Sequence, residues 1–267
     1  MALNEVSRDQ IKDSLLKLGI KQGDGLLIHS ALHMLGRPVG GIEVYWQTLQ
    51  DIVGAEGTIA VPTFNFAFAR GEDYDPLITP SKNMGVFSEY VRQLINAKRT
   101  THPLQSLAVA GKYADDFAVR DPQDAFEAEG PFDRMLGLDF KLLLIGAEVQ
   151  ATSLVHYSEQ RMQVPYRYWK AFTGQYNIAG DWQQRTYKMF VRDLEIDAQM
   201  RLLPIQTLLE NKNQWHAVKL NYGYISTCTL ADFKDATDEL LADDPWALVG
   251  NKAEALARDR QKGSEKQ

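Results

Sequence analysis

The sequence predicts an α/β fold: a single domain with a central mixed β-sheet flanked by helices. Short apolar runs near residues 26–32, 58–64, 107–111 and 141–146 read as buried strands, most of them ending at or near glycine or proline. Between the first two lies an amphipathic stretch with Val44, Trp46, Leu49, Ile52 and Val53 near helical spacing. No stretch has the composition of a domain linker, and no repeat of 20–50 residues stands out. Residues 1–250 are therefore read as one domain. Residues 251–267 are read as a charged, apolar-poor tail that should fray.

The elements follow in order. Ser7 is placed to cap a helix through Ile11, Leu15, Leu16 and Leu18, closed by Gly19. The run Leu26-Leu27-Ile28-His29 is a strand entering a hydroxyl-bearing turn at Ser30. Gly36 and Gly40-Gly41 follow, then the helix, a turn at Gly54 and Gly57, and a strand stopped by Pro62. Strand, glycine-rich loop, helix, turn and strand is the grammar of a βαβ unit, whose loop would offer N–H groups and Ser30 to an anion. No G-x-G-x-x-G and no Walker lysine is present, which disfavours a dinucleotide or P-loop nucleotide. Residues 64–84 read as a long loop of the kind that carries function, and residues 86–95 as a helix. Residues 163–187 alternate aromatic and polar like a hairpin. Residues 198–209 look helical with a break at Pro204, residues 215–226 look like a strand pair, and residues 230–241 like a last helix. Glu195 and Asp197 alternate as on one face of a strand.

Composition narrows the class. A chain of 267 residues can bury a full core without disulfides or metals. Its 45% apolar and 24% charged residues are ordinary for a globular protein. A net charge of −6 argues against nucleic acid or an anionic membrane as partner and suits a cationic acceptor. Cys228 is the only cysteine, so neither an internal disulfide nor a cysteine zinc cluster is available. Without a signal-peptide stretch or a run of membrane-spanning length, a cytoplasmic location is expected.

An ordered set of segments carries a family likeness. It comprises His29-Ser30-Ala31-Leu32 with Leu35-Gly36 and Gly40-Gly41; residues 54–64; and Thr101-His102-Pro103 with Ser106 and Gly111. It continues with Gly130-Pro131-Phe132-Asp133-Arg134, Leu143-Leu144-Ile145-Gly146, and residues 154–159. In this order and spacing the chain resembles the aminoglycoside 3-N-acetyltransferase family, whose fold differs from the common acetyltransferase fold. The likeness spans residues 20–160 and continues loosely to about residue 240. It implies an antibiotic N-acetyltransferase-like α/β fold and acetyl-CoA as cosubstrate, with no metal. It also implies CoA contacts at His29, Ser30, Ala31, Leu32, Leu35, Gly36, Gly40 and Gly41, with His102 and Ser106 as further cofactor-binding candidates; Ser153 joins them by its position just before His156. His102 reads equally as a structural hydrogen-bonding residue. The family usually has a serine between the glycine and proline of the fourth segment, whereas Gly130 directly precedes Pro131 here. After Arg161 the likeness loosens, so the donor is better supported than the acceptor.

The chemistry can be read from the residues themselves. N-acetylation needs an amine relieved of a proton, a thioester beside it, and stabilisation of a tetrahedral oxyanion. His156 is the candidate base, because imidazole titrates near neutral pH. Glu159 shares its helical face and would orient it, or else lies on a solvated helix face or pairs with Arg161 or Arg167. Glu195 and Asp197 are further candidate acids facing the acceptor, or an ordinary solvated edge. Thr152 and Ser153 either donate to the thioester carbonyl or cap the His156 helix. His29 and His33 do not read as a metal pair, since a turn separates them and no H-E-x-x-H is present. Cys228 lacks the partners of an activated nucleophile, so direct attack in a ternary complex is expected.

The acceptor stays open between an aminoglycoside, which needs acids, and a nucleotide-linked amino-sugar, which needs Arg or Lys. Tyr166-Arg167-Tyr168-Trp169-Lys170 favours a sugar, and the acids of residues 193–197 favour a polycation. The partner expected is a small-molecule amine, with neither nucleic acid nor membrane, and a homodimer is left open. A non-catalytic CoA or sugar-binding module is the reading from another class. His156 together with a complete donor segment speaks against it.

Overall fold

The computed structural model describes residues 4–264. The described chain opens with a short strand, β1 (Glu5–Val6), and a helix, α1 (Arg8–Lys17). A capping box starts α1: Gln10 N donates to Ser7 Oγ (3.2 Å), and Ser7 N donates to Gln10 Oε1 (2.8 Å). Next come β2 (Gly25–Ser30), β3 (Arg37–Pro38), α2 (Glu43–Val53) and β4 (Thr58–Pro62). The middle of the chain forms α3 (Val86–Arg92), β5 (Lys98–Arg99), β6 (Leu107–Gly111), α4 (Ala114–Ala118), α5 (Pro131–Gly137), β7 (Lys141–Ile145) and α6 (Val155–Arg161). A long hairpin, β8 (Arg167–Ile178) and β9 (Asp181–Arg192), is followed by α7 (Leu203–Asn211), β10 (His216–Leu220), β11 (Gly223–Thr229), α8 (Leu230–Asp243) and α9 (Lys252–Ser264).

Seven strands form the central sheet in the order β10-β11-β7-β2-β4-β6-β5. β2 pairs parallel with both β4 and β7, and the remaining pairs are antiparallel, so the sheet is mixed as expected. The period-2 alternation of the central strands sorts their side chains onto two faces. Leu26, Ile28, Ile59, Val61, Leu143 and Ile145 pack under α1, α2 and α3. Leu27, Ala60, Leu142 and Leu144 face the opposite way, into a core with Phe132, Phe233 and Leu241. A sheet covered on both faces reads as unbroken apolar runs, which is why β2 and β7 were legible. The hairpin closes a smaller cluster of Phe68, Tyr74, Leu104, Tyr176 and Tyr187.

Gly146, just past β7, sits at φ 71°, where an added Cβ would lie 2.5 Å from Ala31 O. Glycine there lets the ends of β2 and β7 close together, with Ala31 N donating to Ile145 O at 2.9 Å. The carboxyl ends of β2, β4 and β7 thus meet at one edge of the sheet. In open α/β sheets that edge is where ligands bind.

Three expectations change. Pro204 does not break a helix; it occupies the first turn of α7, where a missing N–H costs nothing. Residues 193–197 are not strand: β9 ends at Arg192, Glu195 N donates to Asp193 Oδ1 (3.0 Å), and Asp197 takes φ 51°. Residues 252–264 do not fray but form α9, anchored by buried Ala255 and by Lys262, which reaches Asp193 (2.5 Å) and Glu195 (2.7 Å). The part of that tail at residues 265–267 lies outside the described residues. Among the described residues no helix is long and apolar enough to cross a membrane.

Candidate active site

α6 begins just beyond the carboxyl edge of β7. Its first turn is closed by backbone: His156 N donates to Ser153 O (3.1 Å), and no side chain caps it. Val155 and Tyr157 are buried in the core, which fixes the rotation of the helix and sets His156 towards a cleft. Glu159, three residues on, is fully buried. Its Oε2 lies 2.6 Å from His156 Nδ1 and 3.0 Å from Arg167 Nε. Arg167 Nη2 also stands 3.1 Å from His156 Nδ1, and Nη1 donates to Phe190 O (3.2 Å). Glu159 therefore contacts both the histidine and Arg167, and it does not lie on a solvated helix face.

Electrostatics favour an ionised Glu159 beside a neutral His156. Burial pushes the Glu159 carboxyl up, but the bond to His156 and the charge of Arg167 outweigh it and hold the group below the usual carboxylate range. Burial, then the Arg167 charge, push His156 below its ordinary value despite the pull of Glu159. An ionised Glu159 accepts the Nδ1 proton of a neutral ring, so the lone pair of His156 is left on Nε2.

Three adjoining cavities run past this pair. One of about 510 Å³ is lined by His29, Ser30, Ala31, Leu32 and His33 from the end of β2, and by Asn83, Met84, Gly85 and Val86. A second, of about 280 Å³, shares His29, Pro62, Met84 and Ala151 with the first and adds Thr152, Ser153 and His156. A third, of about 210 Å³, shares Phe64 and His156 with the second and adds Phe66, Gln105, Phe126, Gln160, Arg167, Phe190 and Arg192. His156 stands where the second meets the third. A larger cavity of about 700 Å³ lies beside α7, β10 and β11; Glu148 and Glu210 line it, but no histidine does.

The donor segment divides. His29, Ser30, Ala31 and Leu32 line the first cavity, whereas Leu35 is buried in the core under α1 and α2. Gly36 sits at φ 97°, where a Cβ would lie 2.2 Å from Asn4 O, so the approach of Asn4, just before β1, by itself requires glycine there. Gly40 and Gly41 turn the chain into α2 and line none of these three cavities. No lysine or arginine lines the first cavity, which suits an uncharged chain better than phosphates.

His102 and Ser106 are buried, with their side chains bonded within the fold. His102 Nδ1 accepts from Gln105 N (3.2 Å), which leaves Nε2–H to donate to Lys188 O (3.2 Å); the ring meets Tyr187 edge-on. Ser106 Oγ is buried among Thr63 O, Thr63 Oγ1 and Arg99 Nε, each at 3.0 Å. Glu195 and Asp197 do not meet His156: their carboxylates pair with Lys262 (2.7 Å) and Arg258 (3.3 Å) of α9. Ser153 Oγ bonds His29 Nε2 at 3.4 Å, while the Thr152 hydroxyl is buried beside the second cavity with no hydrogen-bond partner among the described residues. Among the described residues no group of histidine, cysteine or carboxylate side chains is arranged to hold a metal ion. Sequence reasoning missed Asn83–Val86, Phe66, Phe126, Gln160 and Arg192. The long loop of residues 64–84 was the available signal for the first two.

Burial lowers His29 and His102 to about 4 each. The unfolded chain, with histidines near 6.5, then binds more protons than the folded one at any pH between about 4 and 6.5. Stability is thus fully present above about pH 6.5 and falls as pH drops towards about 4, by on the order of 3 kcal/mol per histidine. Denaturant midpoints measured from pH 7.5 to 4.5 check this. A variant with Gln at position 102 should show a shallower decline than wild type.

A carboxylate-held histidine where two cavities meet is an arrangement suited to transferring a group between two bound molecules. The chain belongs to the family described as aminoglycoside 3-N-acetyltransferase, an acyltransferase family whose model matches residues 27–242. It is 28% identical over 212 residues to aminoglycoside N(3)-acetyltransferase VIII of Streptomyces fradiae, covering 71% of this chain and 72% of the relative. Its fold matches that of AAC-IIIb in binary complex with CoASH, with TM-score 0.79 and 19% identity over 90% of this chain and 97% of the other. It also matches a histidine-to-alanine variant of aminoglycoside acetyltransferase AAC(3)-IVa in complex with a gentamicin. That match has TM-score 0.78 and 23% identity, over 97% of this chain and 99% of the other.

Proposed function

We propose that the protein transfers the acetyl group of acetyl-CoA to the amine of an aminoglycoside or amino-sugar, with His156 as general base. The observation that carries this is the placement of a neutral, Glu159-held imidazole at the junction of two cavities. The pantetheine arm of the donor would lie along His29 to Leu32 and Met84, bringing the thioester beside Thr152. The amine would enter from the side of Phe64, Phe126 and Arg192. His156 Nε2 takes its proton as nitrogen attacks the thioester carbon, the unpartnered Thr152 hydroxyl donates to the developing oxyanion, and CoA leaves as the thiol. Glu159 keeps the ring in its tautomer and stabilises the imidazolium that forms. Cys228 takes no part, since it is buried and burial pushes its thiol well above the ordinary range. The setting we assign is the cytoplasm, in keeping with an acetyl-CoA donor.

Donor binding is checked by melting. At 100 times its Kd, acetyl-CoA should add about 2.7 kcal/mol of stability and raise Tm by several degrees. The shift should disappear when Ser30 is replaced by a bulky residue such as Trp, which fills the first cavity. A ligand-independent Tm in the wild type would refute donor binding.

A further inference from the structure

Resting on this acetyl-transfer reading, we propose that the acceptor amine belongs to a molecule that also carries an oxyanion, a phosphate or a carboxylate, bound by Arg192 at the outer end of the acceptor cavity. The charges along that cavity point to it. Its lining combines Phe64, Phe66, Phe126 and Phe190 with two guanidiniums, Arg167 and Arg192, and no carboxylate. Arg167 and Arg192 stand directly opposite each other in the β8–β9 register, a like-charge pair that costs stability unless each charge is met. Arg167 is met by buried Glu159. Arg192 is exposed, and its guanidinium has no ion pair or hydrogen bond among the described residues.

The acids that flank this cavity have partners within the fold, while Glu148 and Glu210 line the separate cavity of about 700 Å³. Asp124 accepts from Gln160 Nε2 (2.8 Å) and Phe126 N (3.0 Å). Asp193 and Glu195 share the single ammonium of Lys262, and Asp197 pairs with Arg258. Strand alternation sets Lys188, whose ammonium is also unpaired among the described residues, on the face of β9 that carries Phe190 and Arg192. On β8, Trp169 packs against Phe190 at 5.3 Å between centroids. An apolar floor for a sugar ring, ending in a free guanidinium, fits an anion-bearing amino-sugar. It disfavours a many-amine antibiotic, whose charges would meet Arg192 without compensation.

The test measures thiol release from acetyl-CoA with one amino-sugar in three forms, neutral, as its 1-phosphate and as its uronic acid, and with a polycationic aminoglycoside. The expected result is a kcat/KM for an anionic form about 10- to 100-fold above the neutral form, the worth of one charge-assisted hydrogen bond. That ratio should collapse in Arg192→Ala, recover in part in Arg192→Lys and shrink with added salt. Comparison of the 1-phosphate with the uronic acid identifies the anion. Melting temperatures confirm that both variants fold. A wild type that favours the neutral sugar or the aminoglycoside, with a ratio unmoved by Arg192→Ala, overturns this proposal and leaves acetyl transfer standing. Thiol release with none of the acceptors, by a protein that binds acetyl-CoA, overturns the acetyl-transfer reading and this proposal with it.

Discussion

Replacing His156 by Ala should lower kcat about 10²- to 10⁴-fold, the usual worth of a positioned general base, while the protein folds and binds acetyl-CoA. The ring is partly exposed to the cleft and packs edge-on against Phe126 at 6.0 Å, so its loss should cost little stability. His156→Gln keeps much of the size but cannot take up a proton and should turn over little better. In the wild type, kcat/KM should rise through a group below pH 6.5, because burial and Arg167 hold His156 below its ordinary value. A His156→Ala protein that melts normally, binds acetyl-CoA and turns over within about threefold of wild type would remove the base from the mechanism.

The second large effect belongs to Glu159. Glu159→Gln withdraws the carboxylate that Arg167 contacts and strands a guanidinium, whose side chain is 8% exposed, in the interior. Breaking a buried pair in this way costs about 3–5 kcal/mol, or on the order of 10 °C in Tm for a chain of this size. Activity should fall as well, because nothing then holds the His156 tautomer against the Arg167 charge. The double variant Glu159→Gln, Arg167→Met separates the two roles: it should recover most of the lost stability and little of the activity. Recovery of both would make the pair a structural device alone.

Local order was the more legible part of this chain. β2 and β7 sit inside a doubly covered sheet, so their apolar runs and terminal glycines could be read directly. Ser7 could be read as a cap because the capping box is encoded within four residues. His156 with Glu159 was legible for the same reason, as an i,i+3 pair on one short helix. What failed depends on distant partners. Ser106 looks like a site residue until Thr63, 43 residues away, and Arg99 are found to hold its hydroxyl. Glu195 and Asp197 look like acceptor acids until α9 folds back and pairs Lys262 and Arg258 with them. Gly36 looks like an anion loop until Asn4 is seen against it. Arg192 gave no signal, since one arginine at a strand end acquires meaning only from the cleft it faces.

Direct transfer from thioester to amine at His156 has a kinetic signature in single-turnover mixing of the wild-type protein with acetyl-CoA, with and without an amino-sugar acceptor. Thiol should appear only when the amine is present, one equivalent per acetylated amine, and at a rate that His156→Ala depresses. A burst of thiol without amine, leaving an acetylated protein, would rule out direct transfer.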